Sequence, residues 1–145
     1  MFNNRKKEEL ELRESIIPSK LPAHVAIIMV GNGRWAKKHK FQRIMGHSKG
    51  IKTVKNVVKA CSALGIKVLS LYAFSEENWK RPKEEVDSLM TLLTKYLRSE
   101  RDELNENGVR MISTGNVSKL PGGPRSELDR SIELTGNNEG MILNL

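Results

Sequence analysis

The sequence predicts an α/β fold, a parallel β-sheet with flanking helices, and three observations predict it. Short apolar runs alternate with longer segments whose apolar residues recur at helical spacing, the pattern that βαβ units leave in a chain. The two clearest runs, VAIIMV (Val25–Val30) and VLSLYAF (Val68–Phe74), are nearly continuous, as in strands buried on both faces of a parallel sheet. The length of 145 residues suits one domain and leaves no room for two of ordinary size.

The elements follow in order. Residues 1–20 form a polar arm of mixed charge, helical in composition, that ends at Pro18 and Pro22. Residues 21–145 carry the domain. Val25–Val30 is the first strand, broken by Gly31 and Gly33. From Ser48 to Leu64, Ile51, Val54, Val57, Val58, Cys61 and Leu64 mark one face of a helix, and Gly65 is placed as its C-terminal stop. Val68–Phe74 is the second strand. Pro82 opens a long helix whose face is Val86, Leu89, Met90, Leu93, Tyr96, Leu97 and Leu104, closing near Gly108. Glu84 and Glu85 suit its first turn through the helix dipole. Val109–Thr114 is a third strand, Leu120–Pro124 (LPGGP) a turn, Arg125–Leu134 a helix, and Met141–Leu145 a fourth strand. No helix follows that strand, so one sheet face and one edge are expected to lie uncovered, an aggregation liability.

Charge narrows the function. Lys and Arg number 25 against 17 Asp and Glu, a net +8. Yet Ser15–Ser75 contains 11 basic residues and no acid, whereas the rest of the chain is net −3. Such a segment suits phosphate groups or another anionic partner. Apolar runs are too short to span a bilayer. Residues 1–19 lack the apolar core of a secretory signal, and the single Cys61 can form no internal disulfide. The expected location is the cytoplasm.

In open parallel sheets, ligands bind at the carboxyl ends of strands. The first strand runs into Gly31-Asn32-Gly33-Arg34-Trp35-Ala36 and the second into Ser75-Glu76-Glu77-Asn78-Trp79-Lys80-Arg81-Pro82. GNGRWA matches a dinucleotide fingerprint formally, but no acidic residue for a ribose follows until Glu76. The shared physics remains: glycines after a strand let backbone N–H groups approach a phosphate, and Arg34 adds a cationic fork. Arg43 and His47 follow at the entrance to the next helix, where His47 could donate to a phosphate or move a proton. Trp35 and Trp79 could form a lip over an apolar ligand. Ser75, Glu77, Asn78 and Arg81 could supply a second anion site and a proton acceptor. No recognised nucleic-acid module is present, and the Gly/Trp strand ends have no use in that reading, so nucleic acid is not an expected partner.

HVAIIM-V-GNGRWAKK, RIMGHSKG, LYAFSEENWKRPKEEV and NNEGMILNL resemble the cis-prenyltransferases, above all undecaprenyl diphosphate synthase, from about Leu21 to Leu145. The resemblance implies condensation of isopentenyl diphosphate with an allylic diphosphate, farnesyl diphosphate, to a long-chain polyprenyl diphosphate used in cell-wall synthesis. It implies that Gly31, Asn32, Gly33, Arg34, Arg43 and His47 cradle the allylic diphosphate. Trp35, Ser75, Glu76, Glu77, Trp79 and Arg81 become substrate contacts, and Asn78 holds the position assigned as proton acceptor, with His47 and Asn32 also catalytic. Phe74 and the apolar helix faces near Ile51–Leu64 and Val86–Leu97 would line a tunnel for the growing chain. Mg²⁺, a homodimer and contact with the inner face of the membrane through the lipid product are further implications. Beyond residue 145 the family carries further strands, a motif for the second diphosphate and a second metal-binding Glu.

Two positions depart from the family pattern. The Asp that precedes GNGRW, the family's metal-binding carboxylate, is here Val30. Mg²⁺ requires hard oxygen ligands in near-octahedral geometry, and an isopropyl group offers none. Diphosphate binding without effective turnover is therefore expected. The alternative is a catalytically dead diphosphate-binding fragment or partner subunit. Asn116, where relatives commonly carry Asp, is a lesser change.

Overall fold

The computed structural model describes residues 2–145. Its core is a four-stranded sheet, β1 (His24–Ile28), β2 (Val68–Tyr72), β3 (Arg110–Ile112) and β4 (Ile142–Asn144), in the order β1-β2-β4-β3 with every pair parallel. Five α-helices accompany it: α1 (Phe2–Glu14), α2 (Asn32–Lys38), α3 (Arg43–Leu64), α4 (Lys83–Glu106) and α5 (Gly122–Thr135). Val25 pairs with Leu69 and Leu69 with Leu143, so β1, β2 and β4 end side by side and their carboxyl ends form one rim.

A single apolar cluster covers one face of this sheet. Val54, Val58 and Cys61 of α3, Tyr96, Leu97 and Leu104 of α4 and Leu128 of α5 pack on Leu69, Leu71, Met111 and Leu143. Leu69, Leu97 and Leu143 are fully buried, each worth about 2 kcal/mol of burial. Tyr96 lies inside the same cluster, and burial, reinforced by Glu100 and Glu103, pushes its phenol above the usual range. Two basic–acidic rungs, Lys55–Glu100 at 2.5 Å and Lys59–Glu103 at 2.9 Å, tie α3 to α4. Arg98 and Arg101 of α4 grip the Glu127 carboxylate of α5, and Arg101 also donates to Ser131 Oγ.

The other face is open, which meets the expectation of one uncovered sheet face and corrects the reading of the two apolar runs as strands buried on both sides. His24, Ala26 and Ile28 are exposed while Val25 and Ile27 are half-buried, so β1 alternates despite its unbroken apolar sequence. Tyr72 is likewise exposed. Polar groups bridge the strands on this side: His24 Nε2 lies 2.8 Å from Ser70 Oγ, Asn144 Nδ2 donates to the same oxygen, and Thr114 Oγ1 donates to Asn144 Oδ1. None of the described helices supplies the second cover that the runs VAIIMV and VLSLYAF imply.

Three further differences concern helices. The GNGRWAKK segment, read as a loop, forms α2, and α3 begins at Arg43 rather than Ser48. α5 starts at Gly122, three residues before the expected Arg125. Gly65 does close α3 in the left-handed conformation, φ +81°.

Packing of α2 on α3 depends on Gly46. A Cβ there would lie 2.2 Å from the Asn32 backbone oxygen and 3.0 Å from Ala36 Cβ. Because the obstacle is backbone, Gly46→Ala must push the two helices apart. We expect a loss of about 3 kcal/mol, the upper end for overpacking, read as a drop of roughly 10 °C in thermal unfolding. A variant melting within 2 °C of the parent, as for about 0.5 kcal/mol, would show that the helices separate freely.

Candidate functional site

The rim of the sheet is where the two unusual loops meet. After β1, Gly31 adopts φ +95° and turns the chain directly into α2, so Asn32 and Gly33 form its first turn. A side chain at Gly31 would be strained whatever the space available. Arg43 and His47 stand one turn apart on α3 and face the same way. After β2, Ser75 starts a short 3₁₀ turn, Glu76–Lys80, in which the Ser75 backbone N–H donates to Asn78 Oδ1 at 3.0 Å. Arg81 then leads into α4.

These loops enclose a polar cleft of about 210 Å³ lined by Val30, Gly31, Asn32, Gly33, Arg34, Arg43, His47, Ser75, Asn78 and Arg81, with Met29, Tyr72 and Ala73. A second cavity of about 120 Å³ shares Met29, Asn32, His47, Ala73, Asn78 and Arg81 with it. That cavity is otherwise almost wholly apolar, walled by Phe74, by Ile51 and Val54 of α3, and by Leu89, Met90, Leu92 and Leu93 of α4. A cationic mouth thus opens onto a hydrocarbon-lined recess between α3 and α4. The arrangement can hold a molecule with an anionic head and an apolar tail.

Not every candidate residue reaches the cleft. Trp35 lies on the outer side of α2, stacked on His39 at 4.4 Å, and does not line the cleft. Glu77 is exposed and also outside it. Glu76 and Trp79 line a larger cavity of about 750 Å³ that extends over the open face toward Thr114 and Asn116. Within it Trp79 meets Phe74 edge-on at 4.8 Å, and Glu76 pairs with Lys119.

The structure adds one residue that sequence reasoning assigned to the helix dipole alone. Glu85, in the first turn of α4, is buried, and its carboxylate gathers three groups, two from α3 and one from the loop that leads into α4. Arg81 Nη1 donates at 2.7 Å, His47 Nε2 lies at 3.2 Å and Arg43 Nη1 donates at 3.3 Å. A carboxylate can only accept, so Nε2 of His47 carries its proton. Burial works against the charged form of Glu85. The hydrogen bonds from Arg81 and His47 and the charges of Arg81 and Arg43 outweigh it and hold the carboxyl below the usual range. The signal for this was present in sequence only as the spacing Arg81–Glu85, four residues apart.

The residues at the cleft do not fit a divalent metal. Val30 is 70% exposed at the lip and brings no oxygen donor. Both oxygens of Glu85 are engaged by cationic or N–H partners. No group of three His, Cys, Asp or Glu side chains stands close enough to share an ion among the described residues.

Comparison with known proteins identifies the family. Residues 28–145 match the family model described as putative undecaprenyl diphosphate synthase. The isoprenyl transferase of Clostridium perfringens is 49% identical over 144 residues, which cover 99% of this chain and 57% of that protein. That of Bacillus subtilis is 48% identical over 132 residues, 91% of this chain and 51% of its own. The chain therefore spans about half the length of the curated relatives it matches. Among solved structures, lavandulyl diphosphate synthase from Lavandula x intermedia, in complex with dimethylallyl diphosphate, superposes with a TM-score of 0.82 at 35% identity, covering 86% of this chain and 53% of that one. The sheet with its one-sided helices is accordingly an undecaprenyl diphosphate synthase-like fold, and the chain belongs to the undecaprenyl diphosphate synthase family of isoprenyl transferases.

Proposed function

We propose that this chain carries the allylic-diphosphate site of a cis-prenyltransferase, a site that binds farnesyl diphosphate for condensation with isopentenyl diphosphate into a long-chain polyprenyl diphosphate. The observation that carries this reading is the continuity of the cationic cleft with the apolar recess through Asn32, His47, Asn78 and Arg81. The diphosphate lies at the Gly31–Gly33 turn, where the backbone N–H groups of α2 point outward and Arg34, Arg43 and His47 supply positive charge. The prenyl chain enters between α3 and α4 and is shielded there from water.

Condensation breaks the allylic C–O bond and leaves its electron pair on the departing diphosphate, while the isopentenyl double bond supplies the pair for the new C–C bond and the isopentenyl unit then loses one proton. Groups that bind this growing charge more strongly than the ground state accelerate the step. Arg34, Arg43 and Arg81 do so here. Asn78, fixed by the Ser75 N–H, is the family's proton-acceptor position and borders both cavities. The family's Mg²⁺ would add charge stabilisation at the position now held by Val30. Removing one well-placed electrostatic group typically costs roughly 10²–10³ in rate, so binding outlasts turnover.

Calorimetry tests the reading. Farnesyl diphosphate should bind at least tenfold more tightly than inorganic pyrophosphate, because the recess adds apolar burial, and farnesol should bind least. Equal affinity for farnesyl diphosphate and pyrophosphate would remove the recess from the proposal. Incorporation of radiolabelled isopentenyl diphosphate with Mg²⁺ at a rate typical of enzymes, about 1 s⁻¹ or more, would overturn the expectation of impaired turnover.

A further inference from the structure

We propose that the α2–α3 corner is a docking surface for an anionic lipid bilayer. Residues 35–45 place four large apolar side chains in water: Trp35 at 36% exposure, Phe41 at 45%, Ile44 at 44% and Met45 at 50%. Trp35, His39 and Phe41 are assembled into one aromatic group, with Trp35–Phe41 centroids 5.9 Å apart. Lys37, Lys38 and Lys40 are exposed among them. None of these lysines takes part in an ion pair among the described residues.

The combination selects the occupant. A protein partner of ordinary composition would satisfy the apolar groups and leave three lysines desolvated or unpaired. A nucleic acid would pair the lysines and give Ile44 and Met45 nothing. A bilayer interface rich in anionic headgroups meets both needs. Tryptophan and phenylalanine settle at the headgroup boundary, and lysines reach the phosphates beside them.

The backbone supports the assignment. Lys40 has φ +58° and is the only non-glycine with positive φ among the described residues. It occupies the left-handed position that closes α2, with the Phe41 N–H donating to the Ala36 oxygen at 2.8 Å. Glycine is the favoured residue there. A lysine in its place holds a strained conformation at a turn that a glycine would close more easily, and it adds a third exposed cation next to Phe41 in the chain. This inference does not depend on diphosphate binding, since none of the patch residues lines the cleft.

Vesicle co-sedimentation and tryptophan fluorescence test it, using phosphatidylcholine vesicles with and without phosphatidylglycerol. The chain should bind the anionic vesicles, with a blue shift of emission, and should not bind the neutral ones. Each lysine near the surface is worth about fivefold in partitioning, so the triple variant Lys37→Gln, Lys38→Gln, Lys40→Gly should bind roughly a hundredfold more weakly. Lys40→Gly alone should lose about fivefold while melting no lower than the parent, because glycine suits the turn; this separates lost binding from lost fold. The blue shift should vanish in Trp35→Phe. Unchanged binding of the triple variant, a blue shift that survives Trp35→Phe, or binding of a random DNA oligomer as tight as that of the anionic vesicles would each overturn the proposal.

Discussion

Val30→Asp should invert the response of the cleft to magnesium. In the parent chain, pyrophosphate should bind no more tightly with Mg²⁺ than without it. In the variant, metal-free affinity should fall about fivefold, and Mg²⁺ should more than restore it. The signs follow from position. Val30 lies at the cleft lip between Met29 and Gly31, and it is exposed. A carboxylate there faces the incoming anion. Two like charges about 6 Å apart repel by about 0.7 kcal/mol in bulk water and about 3 kcal/mol at an effective dielectric of 20. An open lip lies nearer the first value, and about 1 kcal/mol is a factor of about five. With Mg²⁺ present the same oxygens become hard ligands for an ion shared with the diphosphate, so repulsion turns into a bridge. Titrations of both chains with pyrophosphate, with and without Mg²⁺, decide it. Tighter metal-dependent binding by the parent, or tighter metal-free binding by the variant, would show that Val30 is not what sets the metal response.

The sequence made the strand ends legible because glycine, tryptophan and charged residues cannot be explained there as core. The polar cleft drew its walls from both of them, as two adjacent parallel strands require. What stayed illegible has physical causes. VAIIMV reads as buried on both faces because periodicity reports the cover that a strand can accept, whereas Ile28 and Tyr72 remain uncovered here. α2 was hidden by two glycines that ordinarily oppose helix. Gly31 is in fact the left-handed entry and Gly33 lies against Arg43, with a Cβ there 3.4 Å from its Nε. Trp35 and Trp79 looked alike in sequence, each just past a strand end. The 3.6-residue period turned Trp35 outward on α2, while the 3₁₀ turn set Trp79 against Phe74. Glu85 was missed because its role depends on His47 and Arg43, which are 38 and 42 residues away in sequence.

Glu85→Gln should destabilise the chain and, at the same time, make pyrophosphate a stronger stabiliser. The amide keeps the shape of the carboxylate but carries no charge, and one of its two ends can only donate. Losing a buried ion-pair partner can cost 3–5 kcal/mol when the remaining charge is also buried. Here Arg43 and Arg81 are partly exposed, with side chains 65% and 39% accessible, and can rehydrate. His47, 11% accessible, cannot do so as easily. The expected loss is therefore nearer 1–2 kcal/mol, the scale of hydrogen bonds to a charged group. Its pH dependence has a definite sign. Because the folded state holds Glu85 below the usual carboxylate range, its contribution is present above about pH 4.5 and disappears as pH falls through the depressed value. Stability of the parent should thus decline on acidification where that of Glu85→Gln is flatter. The same cations then become available to an external anion. Pyrophosphate binding the folded state adds stability by mass action, and in the variant it takes over the pairing that Glu85 supplied. Its shift in melting temperature should exceed that of the parent at equal concentration. A smaller shift would mean that Glu85 is needed to hold Arg43, His47 and Arg81 in the arrangement the anion uses, and that positioning outweighs competition at this node.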